Sequence, residues 1–189
     1  MTRSPAAGSP SAGVRIAPMI DADWPEVHRI YAQGIATGDA TLEREAPDWD
    51  HFDRSHRHDC RFVARDRVGG PVVGWVATSS VSARRVYRGV AWESVYVADD
   101  ARGRGVGRAL LDALIEASEA VGIWTLQAGV LADNAASLAV HERVGFRRVG
   151  VQRRLGQDRT GRWRDVVLME RRSATVGLDV DPPSLRPGT

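Results

Sequence analysis

Between residues 14 and 172 the apolar positions switch repeatedly between the two-residue period of strands and the 3.6-residue period of helices. Residues 14–17 form a short strand. Asp21 or Asp23 then caps a helix with Pro25 in its first turn and Val27, Ile30 and Tyr31 on one face. A polar, turn-rich stretch from 36 to 59 leaves room for one short helix. RFVARD (61–66) and PVVGWVATS (71–79) are two strands joined by a turn at Gly69-Gly70. VAWESVYV (90–97) is a further strand that runs into a glycine-rich loop, RGRGVGR (102–108). In the helix that follows, Leu110, Leu111, Leu114, Ile115 and Val121 recur at helical spacing until Gly122 ends it. IWTLQAGV (123–130) reads as a buried strand and NAASLAVHERVG (134–145) as a short helix capped by Asn134 or Asp133. FRRVGVQRRL (146–155) and WRDVVLMER (163–171) are the closing strands. This order, without internal repeats, predicts a mixed α/β sheet flanked by helices.

A chain of 189 residues with 43% apolar content suits one domain with its own core. The domain is expected over 14–172, between flexible tails at 1–13 and 173–189 that are rich in Ser, Pro, Gly and Ala. No apolar stretch approaches the ~20 residues that span a bilayer, so a cytoplasmic protein without membrane contact is expected. Basic and acidic residues nearly balance, at 26 against 24, which gives no reason to expect nucleic acid. All the basic residues are Arg, which removes Schiff-base chemistry and the lysine of a nucleotide-binding P-loop. The lone Cys60 excludes an intramolecular disulfide. HFDRSHRHD (51–59) looks metal-like, but Arg54 and Arg57 interleave and no closed ligand set emerges, so no metal is expected.

The glycine loop has two readings. Backbone amides beside a helix start can cradle a phosphate, or the glycines can simply supply positive φ in a surface turn. A P-loop fails because Arg108 and Ala109 follow Gly107. A dinucleotide fingerprint fails because Arg108 or Leu110 stands where a small residue is needed. The pattern Arg/Gln-x-x-Gly-x-Gly/Ala fits, as Arg102-Gly103-Arg104-Gly105-Val106-Gly107.

That loop resembles the pyrophosphate loop of the GNAT N-acetyltransferase superfamily, and the letters around it extend the resemblance over roughly 14–172. The stretches GIATGDATLE (34–43), YRGVAWESVYV (87–97), HERVGF (141–146) and GRWRDV (161–166) look most like its phosphinothricin and methionine-sulfone N-acetyltransferases. The resemblance implies a GNAT fold with a splayed central strand, acetyl-CoA as co-substrate, and direct acetyl transfer to the amine of a small amino-acid-like acceptor. A protein N-terminus or polyamine acceptor, or an inactive CoA-binding module, are the alternatives; a homodimer is expected. Val95, Tyr96 and Val97 would line the pantetheine arm. Arg102, Gly103, Arg104, Gly105, Val106, Gly107 and Arg108 would wrap the diphosphate. Arg85, Val86 and Tyr87 would lie beside the substrate. Asn134 would contact the pantetheine, or cap its helix, or both. His141 would donate to the departing thiolate, or be a packed helix residue. Leu42 departs from the relatives, which usually carry an aromatic there.

A second departure is Glu93. The relatives' catalytic Glu stands three residues before the VYV segment, where this chain has Trp92. In a regular strand a one-residue shift reverses the face, putting Glu93 with Val95 and Val97. A β-bulge near Ser94 would return Glu93 to the substrate side as general base, and this is the expectation. Without it, Glu93 is a structural acid.

Overall fold

The computed structural model describes residues 13–178. The strands are β1 (Arg15–Pro18), β2 (Arg61–Arg65), β3 (Val72–Ser80), β4 (Val90–Val97), β5 (Thr125–Leu131), β6 (Arg147–Gln157) and β7 (Trp163–Arg172). The helices are α1 (Trp24–Thr37), α2 (Trp49–Ser55), α3 (Val106–Ala120) and α4 (Ala135–Arg143). One seven-stranded sheet has the order β1-β2-β3-β4-β5-β7-β6. Every neighbouring pair is antiparallel except β4 with β5. The predicted α/β class and its sequence of elements are borne out.

The β4–β5 pair is the feature on which the site depends. It hydrogen-bonds only from Val90–Thr125 to Trp92–Gln127, and beyond Trp92 no β5 residue partners β4. The two strands diverge and leave a wedge in the middle of the sheet. On its other edge β4 is fully paired, in unbroken register with β3 from Ser80↔Ala91 to Gly74↔Val97.

That unbroken register overturns the expected bulge near Ser94. Regular alternation puts Tyr96 on the α1 face, where its ring stacks on Trp75 at 4.7 Å and lies 4.7 Å from Tyr31. Gly34 of α1 sits so close to that ring that a Cβ there would meet it at 2.7 Å. Val97 takes the opposite face, against the first turn of α3 at Gly107. Glu93 shares the Val97 face, and without any bulge it still lines the space that the wedge opens between β4 and β5, so the straight strand does not reduce it to a structural acid.

The core is a set of fully buried side chains between sheet and helices, among them Trp75, Phe52, Ile30, Leu110, Leu111 and Leu114. Leu110, Leu111 and Leu114 recur at i, i+1 and i+4, which is why α3 buries one face against β2, β3 and β4. The ordered chain runs past the boundary expected at 172. Ser173 Oγ accepts from the Thr175 and Val176 amides, and Arg172 holds the carbonyls of Val176 and Gly177. The N-terminal tail and residues 179–189 lie outside the described residues.

Candidate active site

The glycine loop leaves β4 through a 3-10 turn at Asp99–Ala101 and enters α3 at Val106. Gly103 (φ 74°) and Gly105 (φ 81°) are both left-handed, and Gly105 is the N-cap. Alternating left- and right-handed residues turn successive N–H groups toward one concavity. The N–H groups of residues 103–108 make no hydrogen bond among the described residues. Unsatisfied amides at a helix start attract an anion, and the α3 dipole adds to this. Arg102 pairs with Asp99 at 2.7 Å and Arg108 with Asp112 at 3.5 Å, while Arg104 is exposed and in no ion pair. Gly107 packs against Val97, where a Cβ would make ordinary contact at 3.6 Å.

Below the loop the wedge opens into a cleft of about 250 Å³. β4 contributes Glu93 to Tyr96, β5 contributes Gly129 to Leu131, and α4 contributes Ser137 and His141. The connection between α1 and α2 adds Thr41 and Leu42, and β6 adds Leu155. The β4 backbone beyond Trp92 faces this space without a strand partner, so it can pair with an amide-bearing ligand as a strand would. Among these residues the ionisable groups able to carry charge near neutral pH are Glu93 and His141.

Glu93 and His141 bond to each other. His141 Nε2 lies 2.6 Å from Glu93 Oε1, with both side chains 2% exposed. His141 Nδ1 lies 2.7 Å from the Ser137 carbonyl, which can only accept, so Nδ1 carries a proton. A single further proton is then shared between Nε2 and Oε1. Burial is the largest influence on His141 and lowers its pKa; the Glu93 hydrogen bond, the Glu93 charge and the Ser137 carbonyl together outweigh it and raise the pKa above its ordinary value.

The second oxygen, Glu93 Oε2, is buried and has no hydrogen-bond partner among the described residues. A carboxylate oxygen without a donor is costly to bury, and this one belongs to a residue that lines the cleft. Both ring nitrogens of His141 are engaged, which leaves no free N–H for a departing thiolate. The expected His141 donor role therefore requires its bond to Glu93 to break.

Asn134 caps α4, accepting from the Ser137 amide at 3.0 Å, and its Nδ2 donates to the Asp39 carbonyl at 2.8 Å. It lines the cleft, so the cap and the expected ligand contact coexist once Nδ2 turns from Asp39. Arg85, Val86 and Tyr87 form an exposed 3-10 turn before β4 and are not among the cleft residues. Burial, the larger influence, and its Tyr31 neighbour push the Tyr96 phenol well above the usual range, so Tyr96 stays protonated. No group of three or more His, Cys, Asp or Glu side chains could hold a metal among the described residues. Of the sequence's metal-like run, His56 is stacked on Phe52 at 4.1 Å.

An amide nest, a splayed parallel pair and a buried acid where the two strands part together suit a transferase of an acyl group carried on a diphosphate-bearing ligand. The chain belongs to the acetyltransferase (GNAT) family, which matches residues 23–146. It is 32% identical over 183 residues to an L-methionine sulfoximine/L-methionine sulfone acetyltransferase of Pseudomonas aeruginosa, covering 94% of this chain and 99% of that one. It is 36% identical over 161 residues to a phosphinothricin N-acetyltransferase of Alcaligenes faecalis, covering 80% and 78%. A phosphinothricin acetyltransferase from Sinorhizobium meliloti, solved in complex with AcCoA, superposes with a TM-score of 0.79 at 26% identity, covering 93% of this chain and 96% of that one.

Proposed function

We propose that this N-acetyltransferase moves the acetyl group of acetyl-CoA to the primary amine of a small amino-acid-like acceptor of the methionine sulfone, methionine sulfoximine or phosphinothricin type. The observation that carries the reading is the buried Glu93 Oε2, without a hydrogen-bond partner among the described residues, in a cleft along the stretch of β4 that leads into the amide nest. The residues fit acetyl-CoA: the amides of 103–108 would take its diphosphate and the unpaired edge of β4 its pantetheine amides. Acetyl-CoA supplies an activated acetyl thioester.

Glu93 is the general base in this reading. An α-amino acceptor, with a pKa near ~8, reaches the cleft partly as the neutral amine. As its nitrogen bonds to the acetyl carbon and the carbon–sulfur bond breaks, Glu93 Oε2 takes the amine's proton. The same carboxyl returns that proton to the sulfur, so the products are an N-acetyl amide and a free thiol. His141 holds the carboxylate in place and balances its charge. An N–H of the β4 edge, aimed at the carbonyl oxygen, stabilises the developing oxyanion. Cationic and hydroxyl groups of the turn at Arg85–Tyr87 suit an anionic acceptor that reaches beyond the cleft. The absence of a membrane-length apolar helix among the described residues accords with a cytoplasmic enzyme.

The homodimer contact belongs on β6. This edge strand is exposed along almost its whole length, with Val149, Val151 and Leu155 between 44% and 56% exposed. An uncovered edge strand that exposes three large apolar side chains can pair with a second copy.

Thiol release from acetyl-CoA, followed across a panel of amines, tests the function. Methionine sulfone and phosphinothricin should turn over faster than spermidine or an N-terminal peptide. Faster turnover of spermidine would overturn the acceptor class. Acetyl-CoA binding without thiol release from any amine would leave a CoA-binding module instead.

A further inference from the structure

We infer that Arg164 is a positioning residue for the acceptor side of the cleft, a buried latch that holds the loop carrying Thr41 and Leu42. The inference deepens the proposed function and rests on it in taking this cleft as the reaction site.

Arg164 belongs to the GRWRDV stretch and lies near the start of β7, only 6% exposed. Its Nη1 donates to the Gly38 carbonyl at 2.8 Å and to Asp158 at 3.2 Å. Its Nη2 donates to both carboxylate oxygens of Asp133 at 2.7 Å and reaches Asp39 at 3.4 Å. One guanidinium thus ties together the end of α1, the turn between β5 and α4, and the turn between β6 and β7. Arg164 itself does not line the cleft, so it acts through what it holds.

What it holds borders the reaction site. Gly38 ends α1 in the left-handed region (φ 71°), and Ala40, Thr41 and Leu42 then form one side of the cleft. Residues 38–48 contain no helix or strand, so nothing in their own backbone ladder fixes them. Side chains from elsewhere anchor their start, Arg164 on Gly38 and Asp39 and Asn134 on the Asp39 carbonyl, while Arg159 holds the Ala36 carbonyl at the end of α1. Leu42 presses on Gly156 of β6, where a Cβ would come within 2.8 Å of it.

The latch requires arginine. One nitrogen, Nη2, spans both Asp133 oxygens while Nη1 of the same planar group reaches Gly38 and Asp158; an ammonium is a point charge on a flexible stem. The Arg164 hydrogen bond is the leading influence that holds the Asp133 carboxyl below the usual carboxylate range. Removing the guanidinium would strand Asp158, itself buried, beside Asp133 and Asp39, and like charges would push the loop away.

Two variants of the full chain, Arg164→Met and Asp133→Asn, test this by hydrogen exchange at residues 38–42, acceptor KM, kcat and acetyl-CoA affinity. Arg164→Met should speed exchange at 38–42 by at least about tenfold, leaving the amides of β3 and β5 unchanged. Acceptor KM should rise by about tenfold with acetyl-CoA Kd within about twofold. Asp133→Asn should shift the same readouts in the same direction by less, and Arg164→Lys should fall between wild type and Arg164→Met. Unchanged exchange at 38–42 would overturn the latch. So would exchange that rises equally across the sheet, or acetyl-CoA affinity that falls in step with acceptor KM. If Arg164→Met does not fold, Asp133→Asn, at a half-exposed side chain, carries the same comparison. If no amine is acetylated by wild type, the proposed function fails while the exchange measurement still decides whether Arg164 holds the loop.

Discussion

Glu93→Gln separates the chemical role of this carboxyl from its structural one. Glutamine has the same shape, and its amide N–H can donate to an unprotonated His141 Nε2 while Nδ1 keeps its bond to the Ser137 carbonyl at 2.7 Å. Because the buried contact survives in neutral form, the stability change should be about 1 kcal/mol. Glu93→Ala would instead strand a buried imidazole and cost about 3–5 kcal/mol. The amide cannot take a proton, so the base contribution of about 10²–10⁴-fold should disappear from kcat, or about 2.7–5.4 kcal/mol on the barrier. The amides of 103–108 are untouched, so acetyl-CoA affinity should stay within about twofold. Steady-state thiol release gives kcat, calorimetry gives the affinity, and thermal unfolding confirms the fold. A Glu93→Gln enzyme that is folded, binds acetyl-CoA and keeps kcat within about threefold of wild type at pH 7 would refute the base assignment, since general-base removal costs far more.

Three further outcomes follow from the same geometry. Because His141 titrates above its ordinary value, the Glu93–His141 pair should contribute full stability below the unfolded imidazole pKa of about 6.5 and lose it as pH rises through the raised folded value. The Tm gap between wild type and His141→Gln should therefore shrink from pH 6 upward; a gap that is constant or grows would contradict the ion pair. Gly105→Val puts a branched side chain at φ 81°, costing about 1–2 kcal/mol, and should weaken acetyl-CoA binding severely with the sheet's circular dichroism intact. Unchanged affinity would remove the nest from the binding site. Val151→Asp on the exposed edge of β6 should convert a dimer to a monomer in sedimentation, and no change would place the contact elsewhere.

Local patterning was enough to read most of this fold. The VAWESVYV run became β4 over the same residues, Gly122 closed α3 in the left-handed region, and the Gly69-Gly70 turn joins β2 to β3. The glycine loop was legible because it is contiguous, and its chemistry follows from backbone amides alone. What was illegible depends on partners far away in sequence. A bulge would turn Glu93 toward the substrate; instead His141, 48 residues on, meets its carboxyl from α4 while β4 runs straight. Bulges do occur in β6, between Arg148 and Gly150 and between Gln152 and Gly156, where only one neighbour constrains the strand. Arg164 looked like one arginine among many, and no periodicity marks a residue whose partners lie on three separate turns.

Trp124 sits where β4 and β5 still touch, between two glycines. A Cβ on Gly89 would collide with its ring, and one on Gly177 would come within 2.7 Å of its Cβ. The ordered end of the chain therefore clamps an indole against the start of β4, directly beneath the few residues where the two strands bond. Mechanically this is the vertex of a pair of tongs. The five residue steps from Trp92 to Val97 make an arm of about 17 Å, so a shift of tenths of an ångström at the vertex becomes a larger change of gap at the tips. The width of the wedge is thus set beside Glu93, by how closely two backbones can pass a single aromatic ring.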